Sequence, residues 1–190
     1  MTNQIQKLKR NFFAREAADV ARELIGATLV RRVGEKELRA RIVETEAYVG
    51  THDLACHASK GKTKRTAIMF GQAGHAYVYF CYGMHHLLNV VTGNIGDAQA
   101  VLIRAAEPLH CHANLTGPGN LTKALQITIA DNGTDLTTQN DIYFIKREGT
   151  VEVEVSKRIG VDYAREWKDA LLRFTDAQSV AVSGRRKRKA

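Results

Sequence analysis

Glu44, Glu46 and Tyr48 alternate along RIVETEAYVG (41–50), at the end of an extended run one of whose faces is otherwise apolar. Successive side chains of a β-strand point to opposite faces, so Leu38, Ala40, Ile42, Glu44, Glu46 and Tyr48 are expected to share one side. Two carboxylates and a phenol would then continue a face that should be buried. An ionised carboxylate there costs several kcal/mol unless it is paired or hydrogen-bonded. Two chemistries fit: a structural ion pair, or a site that uses the charge as a general base or to stabilise a developing cation. The strand alone does not choose between them.

Other stretches carry polar or aromatic groups that such a site could use. Arg104 interrupts the apolar run VLIRA (101–105) and could neutralise either glutamate. HAYVYFCYGMHHLLNVV (75–91) divides into two β-rich arms around Tyr82, Gly83 and Met84. Tyr77 and Tyr79 share a face, for which core packing or cross-strand pairing is a sufficient reason. Tyr82 falls at the tip, where a core position is not available. An exposed ring at such a tip is the kind of wedge that minor-groove proteins push between base pairs. The stretch 51–74 has no sustained period and carries Lys60, Lys62, Lys64 and Arg65 among Gly, Ser and Thr. A flexible basic loop can grip a phosphate backbone, with a solvated surface loop as the alternative. Gly117-Pro118-Gly119 leads into a helix expected over 121–127, whose start could accept a phosphate.

Several familiar chemistries have no support. Seven histidines and three cysteines include the clusters His52/Cys56/His57 and His110/Cys111/His112, yet none has CxxC, HExxH or HxE…PCxxC spacing. No metal and no cofactor is expected. Neither GxxxxGK[ST] nor GxGxxG occurs, which leaves nucleotide hydrolysis and dinucleotide binding without a signature.

The elements that must hold these groups emerge from periodicity. Ala17, Val20, Ala21 and Leu24 recur at helical spacing in 15–24, with Gly26 as a stop. Strands are expected at 28–33 and 36–48 about a turn at Gly34-Glu35, then at 142–145 and 151–155 about Glu148-Gly149, and at 171–174 and 179–182. A short helix is expected over 162–169. The length of 190 residues, 44% of them hydrophobic, suits one domain, expected over 1–184, followed by a basic disordered tail at 185–190. Five of the 28 basic residues lie in that tail; without them the balance is 23 basic to 20 acidic, so the body is only +3 against +8 overall. The tail adds non-specific attraction for phosphate, and any specific contact must come from the body. No apolar run long enough for a membrane span occurs, and three sparse cysteines suit a reducing compartment, so a cytoplasmic or nucleoid-associated location is expected.

Taken in order, RIVETEAYVG, the histidine at His57, GHAYVYFCYGMHHLLNV, VLIRAAEPL, LTGPGNLTKAL and RIGV at 158–161 closely resemble the alkyladenine (3-methyladenine, N-methylpurine) DNA glycosylases. The resemblance spans most of 10–175. It implies a mixed α/β (α+β) single domain, a curved antiparallel sheet with helices around it and a protruding β-hairpin, acting on duplex DNA containing damaged purines; a minor-groove binder of this size has no need of a partner, so a monomer is expected. It implies that Glu46 is the general base and that Arg104 holds the attacking water with it. Tyr48, His57 and Tyr79 would stack around the flipped base, Tyr82 would be the wedge flanked by Gly83 and Met84, and Asn89 would disfavour the amino group of guanine. Glu44 is left as the structural carboxylate.

Three departures from the family pattern bear on DNA affinity. Thr63-Lys64-Arg65-Thr66 stands where TPRN is common, Asn120 stands where GPGK has lysine, and the stretch between Pro108 and Gly117 is short. No lysine is placed as a desolvated nucleophile, which suits a monofunctional enzyme that leaves an abasic site. A DNA-binding module without chemistry is the main rival reading. A sugar hydrolase using Glu44 and Glu46 is another; the single Trp167 and the basic tail count against it.

Overall fold

The computed structural model describes residues 6–81, 83–110 and 112–184. Two short helices, α1 (Arg10–Phe13) and α2 (Ala17–Leu24), precede the hairpin of β1 (Thr28–Val33) and β2 (Lys36–Tyr48). A second hairpin, β3 (Ala76–Cys81) and β4 (His85–Thr92), leads to β5 (Gln99–Pro108) and helix α3 (Pro118–Ala124). Three short strands, β6 (Ile142–Ile145), β7 (Val153–Ser156) and β8 (Arg173–Asp176), complete an eight-stranded antiparallel sheet ordered β3-β4-β5-β2-β1-β6, with β8 joining β7 to β2. This is the expected α+β class.

The long strand β2 organises the sheet because both its edges are occupied. One edge pairs with β5 along most of its length; the other pairs first with β1 and then with β8. Helix α2 packs on one face, burying Ala17, Val20, Ala21 and Leu24 completely. Its first N–H, on Ala17, is satisfied by the Gln99 carboxamide oxygen at 2.7 Å, which ties the helix start to β5.

The expected single face of β2 does not survive. Ile42 belongs to the core under α2, as do Ala40 and Ala47, while Val43 packs outside it with Ala105 and Val182. The register shifts between Ile42 and Glu44 and shifts back between Glu44 and Thr45. Such a bulge places two consecutive residues, Val43 and Glu44, on one side and reverses the phase of the rest of the strand. Thr45 and Ala47 then face α2, with the Thr45 hydroxyl donating to the Ala21 carbonyl at 2.8 Å. Glu44, Glu46 and Tyr48 are thereby turned to the opposite face of the sheet. The carboxylates interrupt no apolar stripe; the strand changes sides just before them.

Other differences are local. The loop 51–74 contains two short 3-10 turns, His57–Lys60 and Ala67–Phe70. The strands about Glu148-Gly149 do not pair with each other: β6 adds to β1 and β7 to β8. No strand forms at 179–182, where turns direct Ser183 towards Glu44. The expected helix at 162–169 is a 3-10 turn, Arg165–Asp169.

Replacing Thr45 with valine keeps the shape but leaves the Ala21 carbonyl without its donor. The unfolding free energy should fall by about 1 kcal/mol, lowering Tm by about 2–4 °C in calorimetry.

Candidate active site

Beyond the bulge, Glu46 has no solvent exposure. One of its oxygens, Oε2, accepts from the Arg104 Nη1 at 3.2 Å and from the Tyr48 hydroxyl at 3.0 Å; the other accepts the backbone N–H of Ile159 at 2.8 Å. Burial raises its proton affinity above that of an ordinary carboxyl, against the pull of Arg104 and the two hydrogen bonds. Glu44, two residues earlier, is equally buried but differently served. It accepts from Arg104 Nε at 2.9 Å, Arg173 Nε at 2.7 Å and the Ser183 N–H at 2.7 Å. Burial alone would raise its carboxyl too, but Arg104, the Ser183 N–H and Arg173 outweigh it and hold the group below the usual range. One arginine thus serves two carboxylates whose proton affinities diverge.

Next to this pair lies a cavity of about 460 Å³, with Tyr48, His57, Tyr77, Tyr79, Asn89 and Arg104 in its wall. Glu46 sits just behind that wall, bonded to three of its members. The His57 ring meets Tyr79 edge-on at 4.6 Å, and its Nδ1 lies 2.8 Å from the Tyr77 hydroxyl. Burial, with the nearby Arg65 and Lys60 charges, pushes the His57 pKa down to about 4, so the ring is neutral at physiological pH. Asn89 is buried and donates its amide N–H to the Tyr77 carbonyl at 3.0 Å. Guanidinium groups lie 4.9 Å from the centres of both outer rings, Arg158 over Tyr48 and Arg65 over Tyr79.

Of the residues singled out from sequence, Tyr48, His57, Tyr79, Asn89, Arg104 and Arg65 converge on one cavity, and Glu46 abuts it. Lys60, Lys62 and Lys64 lie on the loop beside it and form no part of its wall. Gly83 and Met84 are exposed at the hairpin tip, Met84 to 71%, whereas Tyr82 lies outside the described residues, as do Cys111 and the tail at 185–190. Tyr77 is packed as its position on the strand predicts, buried against Tyr79, and its hydroxyl is in addition the hydrogen-bond partner of His57. Sequence reasoning misses Ile159 and Arg158 as site residues, and Asp53, which pairs with Arg158; the RIGV match alone touches the first two.

The histidine–cysteine cluster disperses. His52 meets Trp167 edge-on at 5.3 Å, Cys56 points its thiol to the Ala98 carbonyl and His57 turns into the cavity. Among the described residues no helix is long and apolar enough to cross a membrane.

The family model described as methylpurine-DNA glycosylase matches residues 11–180. A protein of Legionella pneumophila (strain Lens) is 51% identical over 173 residues, covering 90% of this chain and 94% of its own. One of Myxococcus xanthus is 50% identical over 192 residues, covering 95% and 97%, and one of Methanocella arvoryzae is 46% identical over 194, covering 94% and 96%. All three are provisionally named 3-methyladenine DNA glycosylases. The family and the relatives accordingly make the protein a hydrolase that cuts N-glycosyl bonds in DNA. The chain belongs to the methylpurine-DNA glycosylase family.

The two carboxylates should respond to neutralisation with opposite sign. Glu44 has a lowered pKa in the fold, so its stabilisation is present above the unfolded value of about 4.3 and is lost as pH falls through the folded one. Glu46 has a raised pKa, so its ionisation destabilises the fold as pH rises from about 4.3 through the folded value. At pH 7, Glu44→Gln should lower unfolding free energy by about 3 kcal/mol or more, whereas Glu46→Gln should leave it unchanged or raise it by about 1 kcal/mol. Urea titration of both variants checks the signs.

Proposed function

We propose that the protein is a monofunctional DNA glycosylase of base excision repair, acting as a monomer on duplex DNA. Its substrates are flipped-out alkylated or deaminated purines, including 3-methyladenine, hypoxanthine and ethenoadenine, and its product is an abasic site. The observation that carries this reading is the Glu46–Arg104 contact at 3.2 Å directly behind an aromatic-walled cavity.

Cleavage of an N-glycosidic bond passes through an oxocarbenium-like sugar. As the N-glycosidic bond breaks, its electron pair leaves on the base, which departs neutral from a cationic methylated purine and, from a neutral lesion, takes up a proton or a hydrogen bond on the His57 side. The Glu46 carboxylate stabilises the developing positive charge and then accepts the proton of the water, held with Arg104, that adds to the anomeric carbon. The raised proton affinity of Glu46 suits a base working near neutral pH. Tyr48, Tyr79 and His57 stack around the extruded base, with the neutral His57 available for hydrogen bonding to its edge. A cavity of about 460 Å³ falls within the ~300–1,000 Å³ usual for small-ligand pockets. Asn89, in the wall, is the group that disfavours the exocyclic amine of guanine. No lysine contributes to the wall among the described residues, in keeping with hydrolysis rather than Schiff-base chemistry. The hairpin tip and the basic loop 60–65 grip the duplex, with Tyr82 filling the gap left by the base. The cost of extrusion is lower at damaged or mispaired bases, so selection begins before the cavity is reached.

Duplexes carrying single hypoxanthine, ethenoadenine or methylated purine residues, treated with alkali after incubation, should show strand breaks only at the lesion. Glu46→Gln should slow single-turnover excision by at least about 100-fold. Failure on every lesion, or full activity of that variant, would overturn the assignment. With wild type, the rate should rise with pH through the Glu46 titration, above the ordinary carboxylate value of about 4.3. Replacing Asn89 with alanine should make undamaged guanine detectably labile in the same assay.

A further inference from the structure

Arg158 and Asp53 form an ion pair in which neither side chain has any solvent exposure. The pairing is two-pronged, Nη1 to Oδ2 at 2.5 Å and Nη2 to Oδ1 at 2.9 Å. Asp53 also accepts the N–H groups of Val49 at 3.3 Å and Ala55 at 3.0 Å, which shapes the turn after β2. Arg158 donates in addition to the carbonyls of Ala47 at 2.9 Å and Trp167 at 3.3 Å. The pair therefore joins the end of β2, the 49–55 turn and the segment after β7.

Two consequences reach the site. The guanidinium of Arg158 backs the Tyr48 ring at 4.9 Å, and the next residue in the chain delivers the Ile159 N–H to Glu46 at 2.8 Å. Residues 157–160 belong to no helix or strand, so no backbone ladder fixes the direction of that N–H. The buried anchor next to it is the side chain of Arg158, with the Lys157–Asp169 pair and buried Val161 on either side. Buried ion pairs are often replaceable by apolar residues without loss of stability, so stability alone is a weak reason for this one.

We propose that Asp53 and Arg158 are positioning residues for the excision reaction, setting the orientation of Glu46 and Tyr48 without touching the base. The inference rests on reading Glu46 as the general base. Loosening the pair moves the Ile159 N–H off the carboxylate and frees the Tyr48 ring. The first change favours protonated Glu46; the second weakens one wall of the stack.

The test uses the lesion duplex that wild type excises fastest, with Arg158→Lys and the double variant Asp53→Leu/Arg158→Met. Arg158→Lys keeps the charge and loses the fork. The double variant replaces the pair with apolar groups and carries no unpaired buried charge. Both should retain a cooperative thermal transition and bind an uncleavable abasic-analogue duplex within about threefold of wild type, while single-turnover excision falls at least about tenfold. The acid limb of the pH–rate profile should move to higher pH, because Glu46 has lost a donor to its ionised form. A folded variant with the wild-type rate, or a slowed one with an unmoved acid limb, overturns the positioning role. If the double variant does not fold, Arg158→Lys decides by the same two readouts. Activity in Glu46→Gln would instead overturn the base reading itself, so the two failures are distinguishable.

Discussion

A single guanidinium, Arg104, lies between two carboxylates that have no exposed surface, and the surrounding structure can be traced from that arrangement. Two buried anions two residues apart on one strand would repel each other and bear the full cost of desolvation. Arg104 relieves both, but unequally. Glu44 gathers a second arginine and a backbone N–H and becomes a fixed anion, while Glu46 is left with a weaker set of donors and a cavity in front of it. The inequality leaves the two carboxylates with proton affinities shifted in opposite directions. It also accounts for the reach of the C-terminal segment, since Arg173 and Ser183 come from the end of the described chain to complete the shell of Glu44.

The double register shift in β2 and β5 lets this cluster exist without damaging the core. A strand in strict alternation would have put Glu44, Glu46 and Tyr48 under α2, among the residues that hold the helix to the sheet. The bulge reverses the phase over a single residue, and a compensating shift restores the pairing so that both strands continue in register. The core and the site can then occupy opposite faces of the same strand.

Much of this is legible in the sequence, and the limits are physical. The first hairpin, the amphipathic stripe of α2 and the arms of the second hairpin arise from local periodicity and turn chemistry. The VETEAY, YVYFCYGM and VLIRAAEP strings supply Tyr48, Tyr79 and Arg104, which the fold brings together around one cavity, with Glu46 behind its wall. The bulge is invisible because alternation through Ile42 and Glu44 looks unbroken until the partner strand is known. The Asp53–Arg158 pair is invisible for another reason: its members stand 105 residues apart, and nothing local in either segment announces the other. Tyr77 reads as packing because a strand-borne tyrosine gives no sign of where its hydroxyl ends.

The arginines that lie over Tyr48 and Tyr79 alter how those rings can treat a ligand. An aromatic face attracts a cation through its quadrupole, and a guanidinium already resting on the ring draws on the same source. A positively charged methylated purine placed between the rings would meet electron density that is partly spent, whereas a neutral base would lose little. On the function proposed above, the rings would contribute contact area and flatness more than charge recognition. Discrimination between lesions would then rest on the hydrogen-bonding edge at His57 and Asn89 and on the intrinsic lability of each damaged bond.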